Sequence, residues 1–247
     1  VIIGAGAIGV EFAYIYNAFG TEVTLVEMMP RLVPVEDDDI GDALKKSYSR
    51  QGIKCLTDTK VIATESAEDS VRETVENAKG SQVIEADICL VAIGVVPVLP
   101  GGQLPEFTDR GWIQIGDRYE TSMRGVYAIG DIAGPPWLAH PAMYEATQCV
   151  DGIFLPEATP SRVGTFPGCT YCYPEIASVG KTERELQEEG VAYKAGKFPY
   201  QALGKAQAAA ETEGFIKLLF GEEHGELLGA HIIGANATDI IAEMGLG

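Results

Sequence analysis

Val1-Ile2-Ile3-Gly4-Ala5-Gly6-Ala7-Ile8-Gly9 opens the chain, and the spacing of its three glycines decides the fold. Val1 to Ile3 is an apolar, β-branched run of the kind that fills a central strand of a parallel sheet. Gly4 permits a tight turn out of that strand, and Gly6 lets main chain come close to a diphosphate. Gly9 lets the following helix lie against the strand. The pattern predicts a helix over 7–19, ended by Gly20. Its first-turn N–H groups and the positive end of its dipole would face an anion. A second strand, 21–27, closes with Glu27, 18 residues past Gly9. A carboxylate there can accept from both ribose hydroxyls of an adenosine and would repel a 2′-phosphate, which favours NAD over NADP. Many sheet-to-helix turns carry glycines for steric reasons alone. Here strand, triplet, helix, second strand and terminal acid occur in order, which is the context the motif requires. With no lead-in before Val1, the chain is expected to start inside a strand of something longer.

Working outward, 247 residues suffice for more than one domain, and 46% hydrophobic residues with 29 glycines suit an α/β protein with many turns. The formal net charge of −18 argues against nucleic acid or an anionic membrane as partner. It does not argue against a dianionic cofactor, because main-chain donors act locally. The longest apolar run, Ile88 to Leu99, is broken by Gly94 and Pro97 and is too short to span a bilayer.

Cys55, Cys89, Cys149, Cys169 and Cys172 are odd in number and scattered, which fits reduced thiols and a cytoplasmic location, with an organelle matrix as the alternative. Cys169-Thr170-Tyr171-Cys172 reads as part of a strand, where residues three apart face opposite ways. A redox C-x-x-C opens a helix instead, and one pair cannot complete a zinc site. Glu36 to Asp39 resembles a metal-binding run but lacks calcium-loop spacing. It reads better as the acidic start of a helix reaching Arg50. No metal ligand set is expected.

Further along, 53–57 and 60–64 read as strands, 71–75 and 82–84 as a hairpin around Lys79-Gly80, and 87–94 as an apolar strand returning to the first sheet. Pro97, Pro100, Gly101, Gly102 and Pro105 mark a crossover. Gly125 to Asp131 reads as another buried strand, and Trp137-Leu138-Ala139-His140 opens a helix to about Asp151. A third region starts near Arg162, with strands at 169–179, 214–220 and 227–233 and helices at 182–189 and from Ala237 onward.

These segments together resemble the pyridine nucleotide–disulfide oxidoreductases. The likeness rests on Gly4 to Glu11, Glu27, Ala92-Ile93-Gly94, Tyr127-Ala128-Ile129-Gly130-Asp131 and Leu138-Ala139-His140. It continues through Tyr173-Pro174-Glu175-Ile176-Ala177-Ser178-Val179-Gly180 and Gly229-Ala230-His231-Ile232-Ile233-Gly234. It spans essentially the whole chain in the family's order. The resemblance implies an α/β fold with a Rossmann-type NAD-binding domain carrying an antiparallel meander (1–97). The C-terminal segment of an FAD-binding domain (98–160) and the start of an α+β dimerisation domain (161–247) would follow. It implies NAD along Gly4, Ala5, Gly6, Ala7, Ile8, Gly9, Val10 and Glu11, with Glu27 on the ribose and Val61 and Gly94 flanking the nucleotide. Asp131 would hold the ribityl chain of FAD, and Trp137, Leu138, Ala139 and His140 would approach the flavin mainly through backbone. It further implies a homodimer and, as protein partner, a lipoyl-bearing component of a 2-oxoacid dehydrogenase or glycine cleavage complex. Electrons would pass from its dihydrolipoyl thiols through a cysteine pair and FAD to NAD.

In the family the redox C-x-x-x-x-C precedes the segment matched here and the His-Glu base follows it, so no catalytic residue is expected among these positions. The 247 residues alone are expected not to turn over. Val95-Val96 stand where many members carry Arg after the glycine, and Tyr173 stands for a common histidine. His140 is singled out for position rather than for its imidazole, His224 reads as solvated, and His231 as a core or interface residue. Two alternatives stay open: another flavin disulfide reductase of the family, or a non-catalytic NAD-binding module.

Overall fold

The computed structural model describes residues 1–155, 157 and 164–246, so the expected boundary at 160/161 and Arg162 lie outside the described residues. By its contacts the chain divides into two compact units, one formed by Val1–Gly94 with Pro167–Gly247 and the other by Val95–Phe166.

The first unit begins with β1 (Ile2–Ile3), α1 (Ala7–Ala18), β2 (Thr24–Val26), α2 (Asp38–Arg50) and β3 (Lys54–Leu56). The inward residues of α2, Ile40, Leu44 and Tyr48, recur every fourth position and so line one face. Asp37 caps that helix by accepting the Asp39 amide at 3.2 Å, so the acidic run is a helix start as its pattern predicts. Tyr48 is fully buried, and its hydroxyl donates to the Val10 carbonyl at 2.7 Å, tying α2 to α1. Then come β4 (Lys60–Ser66), β5 (Val71–Asn77), β6 (Gly80–Ala86) and β7 (Leu90–Val91). β3-β2-β1-β7 form a parallel sheet with β1 central, and β4-β5-β6 form a separate antiparallel meander. The apolar run 87–94 does rejoin the first sheet, but only Leu90 and Val91 pair there. Ile88, Val91 and Ile93 stay exposed, and β7 is the last strand of the sheet.

The second unit is largely irregular, with single bridges at Phe107–Ile113 and Glu120–Tyr127, a tight helical turn at Gly130–Ala133 and α3 (Ala139–Phe154). The strand expected at Gly125 to Asp131 is therefore corrected. Among the described residues that run finds no ladder beyond the one bridge at Tyr127, and a strand needs a neighbour to bond its backbone.

The chain then rejoins the first unit with β8 (Gly168–Thr170), β9 (Ile176–Gly180), α4 (Glu183–Glu189), β10 (Tyr193–Pro199), α5 (Gly204–Ala209), β11 (Gly214–Gly221), β12 (Leu227–Gly234) and α6 (Ala237–Met244). The single strand expected at 169–179 is two antiparallel strands joined by a turn at Tyr171–Glu175, where a proline stops the ladder. Cys169 ends up on β8 and Cys172 in the turn, so the C-x-x-C does not lie along one strand. Sheet order is β10-β11-β12-β9-β8, all antiparallel. Ala177, Ala230 and Ile232 face α6, whereas Ile176, Phe215 and Ile233 join the core of the first sheet and α2. That second face sets the C-terminal segment against the nucleotide-type fold. No helix among the described residues is long and apolar enough to cross a membrane.

Candidate functional site

The three glycines of the opening turn are needed for three different reasons. At Gly4, with φ of +95°, a Cβ would lie 2.4 Å from the Ala92 carbonyl oxygen on the neighbouring strand. At Gly9 it would lie 1.9 Å from the Gly4 carbonyl oxygen, so α1 can approach the turn only without a side chain there. At Gly6 φ is −69° and nothing lies within 4 Å of a Cβ. Among the described residues nothing requires glycine at Gly6. The open space is what a ligand's diphosphate would fill, as the close approach in a dinucleotide turn demands. The first intrahelical bond runs from Val10 N–H to Gly6 O at 3.1 Å, which leaves the earlier first-turn amides of α1 as donors for an anion.

Glu27, only 8% exposed, directly follows β2 beside this turn. Its Oε2 accepts the Ala5 amide at 2.7 Å and its Oε1 the Met29 amide at 2.8 Å. Each oxygen keeps a further lone pair that a ribose hydroxyl could use. From the other side, the Val33 amide donates to the Ala5 carbonyl at 2.7 Å. Ala5 is thus gripped at both its N–H and its C=O by the segment that follows β2. Sequence reasoning placed the acid correctly at the strand end but missed that it also braces the turn.

The remaining predicted residues fall as follows. Ala7 and Ile8 are exposed at the start of α1, whereas the Val10 side chain is fully buried in the core and offers a ligand only backbone. The Glu11 carboxylate accepts the Tyr171 amide at 2.8 Å. Val61 lies on β4, opposite Val75 in the meander, and Gly94 follows β7 with φ of +131°.

In the second unit, Asp131 is exposed in the turn Gly130–Ala133, which packs on α3. The Gly130 amide donates to Glu145 Oε2 at 2.7 Å, and a Cβ at Gly130 would sit 3.3 Å from that of Ala142. Trp137 stands edge-on to Trp112, and His140 edge-on to Phe166. Leu138 caps α3, so Ala139 and His140 occupy its first turn. Asp131 and 137–140 are therefore brought together, with Glu145 as a bracing residue that sequence reasoning missed. A cavity of about 220 Å³ lined by Tyr119, Gly134, Tyr144 and Glu145 adjoins them. An exposed acid beside free helix-end amides suits a ligand carrying both hydroxyls and phosphate.

The cysteines and histidines are quiet. Burial pushes the thiols of Cys55 and Cys89 up to about 11 and that of Cys172 to about 12, the opposite of an activated thiolate. All five cysteines are free. His224 is exposed beside Glu223, whereas His231 is buried on β12 with Nε2 2.9 Å from the Lys181 carbonyl.

One cluster went unforeseen. Asp37, Asp39 and Glu183 bring carboxylate oxygens within 4.8 Å of one another, a spacing that could hold a metal ion. Lys217 Nζ occupies the middle, bonding Asp37 at 2.6 Å, Asp39 at 2.9 Å and Glu183. Burial alone would lower the Lys217 pKa, but those three bonds outweigh it and raise it. Asp37 is held below the usual carboxylate range, its own burial being outweighed by Lys217 and the Glu183 amide. The signal was present in β11: Phe215, Lys217 and Leu219 alternate onto the buried face. A lysine on that face requires carboxylate partners.

Residues 1–146 match the pyridine nucleotide-disulphide oxidoreductase family and residues 166–247 match its dimerisation domain. A dihydrolipoyl dehydrogenase of Rhizobium etli is 43% identical over 98% of the chain and 51% of its own length. Dihydrolipoyl dehydrogenase 1, mitochondrial, of Arabidopsis thaliana is 39% identical over 98% of the chain and 49% of its own length. The chain thus spans about half the length of these curated relatives. The crystal structure of LpdA from Mycobacterium tuberculosis superposes with a TM-score of 0.86 over 99% of this chain and 54% of that one. At 23% identity this likeness speaks for the fold alone.

Proposed function

The chain belongs to the pyridine nucleotide–disulphide oxidoreductase family, and from that premise we propose that it serves NAD-dependent oxidation of dihydrolipoyl groups. The observation that carries the nucleotide half of the reading is Gly6, a glycine whose missing side chain faces open space at a helix N-terminus. The similarity to dihydrolipoyl dehydrogenases supports the substrate half.

In this reading the main-chain amides at the start of α1 bind the diphosphate of NAD, and Glu27 accepts from the adenosine ribose. The carboxylate that favours two free hydroxyls disfavours a 2′-phosphate, which sets NAD ahead of NADP. In the second unit Asp131 holds the polyhydroxyl chain of FAD while the first turn of α3 presents backbone to the flavin. Bound FAD supplies two-electron transfer between a disulfide couple and the nicotinamide. None of the five cysteines is assigned to that couple, since all five are free and burial raises each thiol rather than activating it. Residues 166–247 form the dimer contact, and the protein partner is a lipoyl-bearing component of a 2-oxoacid dehydrogenase or glycine cleavage complex. The reduced thiols suit a cytoplasmic or matrix compartment.

The test is made on the intact protein. It should be yellow with bound flavin and should form NADH from NAD⁺ and dihydrolipoamide. Reduction of a different disulfide by NADPH, with no turnover of dihydrolipoamide, would replace this reading with that of a sibling reductase.

A further inference from the structure

Lys217 lies 180 positions from Asp37 in sequence, yet the two meet in a buried seam. Strand register explains how. Lys197, Lys217, His231 and Ser178 are successive cross-strand partners on β10, β11, β12 and β9, and so form one polar row on the sheet face that meets α2. The acidic run runs along that row. Asp37 and Asp39 bond Lys217, and Asp39 also lies 3.3 Å from Lys197. From α4, the Glu183 amide donates to Asp37 at 3.1 Å, and Arg184 reaches Asp38 at 2.7 Å and the Pro34 carbonyl at 3.0 Å.

What is held in this way is the end of a short segment whose beginning braces the glycine turn. Residues 28–36 run from Glu27, which accepts the Ala5 amide, through Val33, which donates to the Ala5 carbonyl, to Asp37. Val33 sits at φ of +43°, a left-handed conformation that a β-branched residue adopts only under constraint. Something at each end must hold it there. At one end is the sheet at Glu27, whose own amide donates to Leu56 O at 2.8 Å. At the other is Lys217.

We infer that Lys217 is a positioning residue for the dinucleotide turn. By fixing Asp37 it fixes the strained segment 28–36, and through the Val33 amide it fixes Ala5 between Gly4 and Gly6. This rests on the nucleotide-binding reading above, but its first measurement does not. The lysine touches no ligand. It acts on where the turn's amides point.

The experiment compares wild type, Lys217→Met and Lys217→Arg in the intact protein. Hydrogen exchange is followed without nucleotide, and NADH affinity by titration. In Lys217→Met, exchange at Ala5 and Val33 should rise at least tenfold relative to amides of the β4–β6 meander, which reports any general loosening. The NADH Kd should rise about tenfold, near 1.4 kcal/mol. Flavin reduction by dihydrolipoamide should keep its rate while the KM for NAD⁺ rises. Lys217→Arg, which keeps the charge, should recover most of the affinity. Should Lys217→Met not fold, Asp37→Asn takes its place. It keeps Oδ1, which serves both the Asp39 amide and Lys217, but removes the charge that holds the lysine and sets an amide NH₂ against the Glu183 N–H, and a threefold or larger rise in Kd is expected. Unchanged exchange at Ala5 and Val33, or a uniform rise everywhere, overturns the inference even where NADH binds. Wild-type protein that ignores NADH overturns the cofactor reading instead, while the exchange comparison still judges the clamp.

Discussion

Replacing Gly6 with alanine separates a glycine kept for a ligand from one kept for the fold. A methyl at Gly6 meets nothing within 4 Å and sits at φ of −69°, so the native backbone accepts it. Gly6 is the N-cap of α1, where alanine is worse than glycine by about 0.5–1 kcal/mol. Against that, alanine loses less chain entropy on folding by about 0.4–1 kcal/mol. The two terms nearly cancel, and the urea midpoint of Gly6→Ala should stay close to wild type. The same methyl occupies the space in which a diphosphate would touch main chain, so the NADH Kd should rise at least tenfold, about 1.4 kcal/mol. Gly9→Ala supplies the contrast. Its Cβ would lie 1.9 Å from the Gly4 oxygen, and reaching ordinary contact needs a shift of about 1.5 Å in α1, an overpacking that costs about 1–3 kcal/mol or more. Calorimetric titration and urea denaturation read the two effects separately. Wild-type NADH affinity in Gly6→Ala would refute the placement of the diphosphate.

Three further outcomes are expected. Tyr48→Phe removes the buried bond to the Val10 carbonyl, which lies inside α1 and keeps its place in the helix ladder, so stability should fall by about 0.5–1.5 kcal/mol with an unchanged urea m-value; a shift within error would count against the bond. Glu27→Gln sets an amide NH₂ against the Ala5 or the Met29 N–H, which should cost about 1–3 kcal/mol of stability and narrow the preference for NADH over NADPH in competitive titration. For His231, burial holds the folded pKa below 6.5, with the Lys181 carbonyl, Asp37 and Glu185 opposing that shift and Lys217 adding to it. The unfolded chain then binds the extra proton, so stability falls as pH drops below 6.5 toward the lowered pKa. Glu36, raised by burial and by Asp37, slopes the other way above 4.5. His231→Gln should flatten the His231 limb by up to about 1.4 kcal/mol per pH unit, as read from denaturation midpoints between pH 5 and 7. An unaltered pH profile would show that His231 is not buried neutral.

What the sequence made legible was local. The glycine turn, α1, the acid ending β2, the capped start of α2 and the meander each announce themselves within ten or so residues, through spacing, capping and alternation. The strand expected at Gly125 to Asp131 failed because an apolar run states only that a segment is buried or paired somewhere. It does not state that a neighbour is at hand, and among the described residues Tyr127 alone finds one bridge. Cys169 to Val179 failed for a second local reason: Tyr173-Pro174 was read as part of a strand, although proline cannot donate to a ladder. β10 was missed because Tyr193-Lys194-Ala195-Gly196-Lys197 shows no two-residue alternation. Its edge position leaves it mostly exposed, so nothing selects a pattern.

Lys217 shows why the rest of the site stayed hidden although its parts were in plain view. The acidic run was weighed as a metal loop or a helix cap, and the second choice is right for Asp37. Capping uses one oxygen, however, and four acids in a row exceed what a helix end needs. The surplus charge is solvated by water or met by a cation, and burial of Asp37 at 1% exposure rules out the first. Among the described residues only one lysine lies buried on the inner face of an apolar strand, and it is the one the carboxylates meet. Pairing the two requires knowing that the C-terminal sheet folds back onto α2, which no local pattern encodes. The same contact gives the acidic run a second consequence. Asp37 ends the segment that begins at Glu27, so the residues that cap α2 also set the far support of the glycine turn. Cap, clamp and turn therefore form one mechanical unit, and a change at Lys217 should be felt at Ala5 before it is felt at β7, whose bonds to β1 do not pass through that segment.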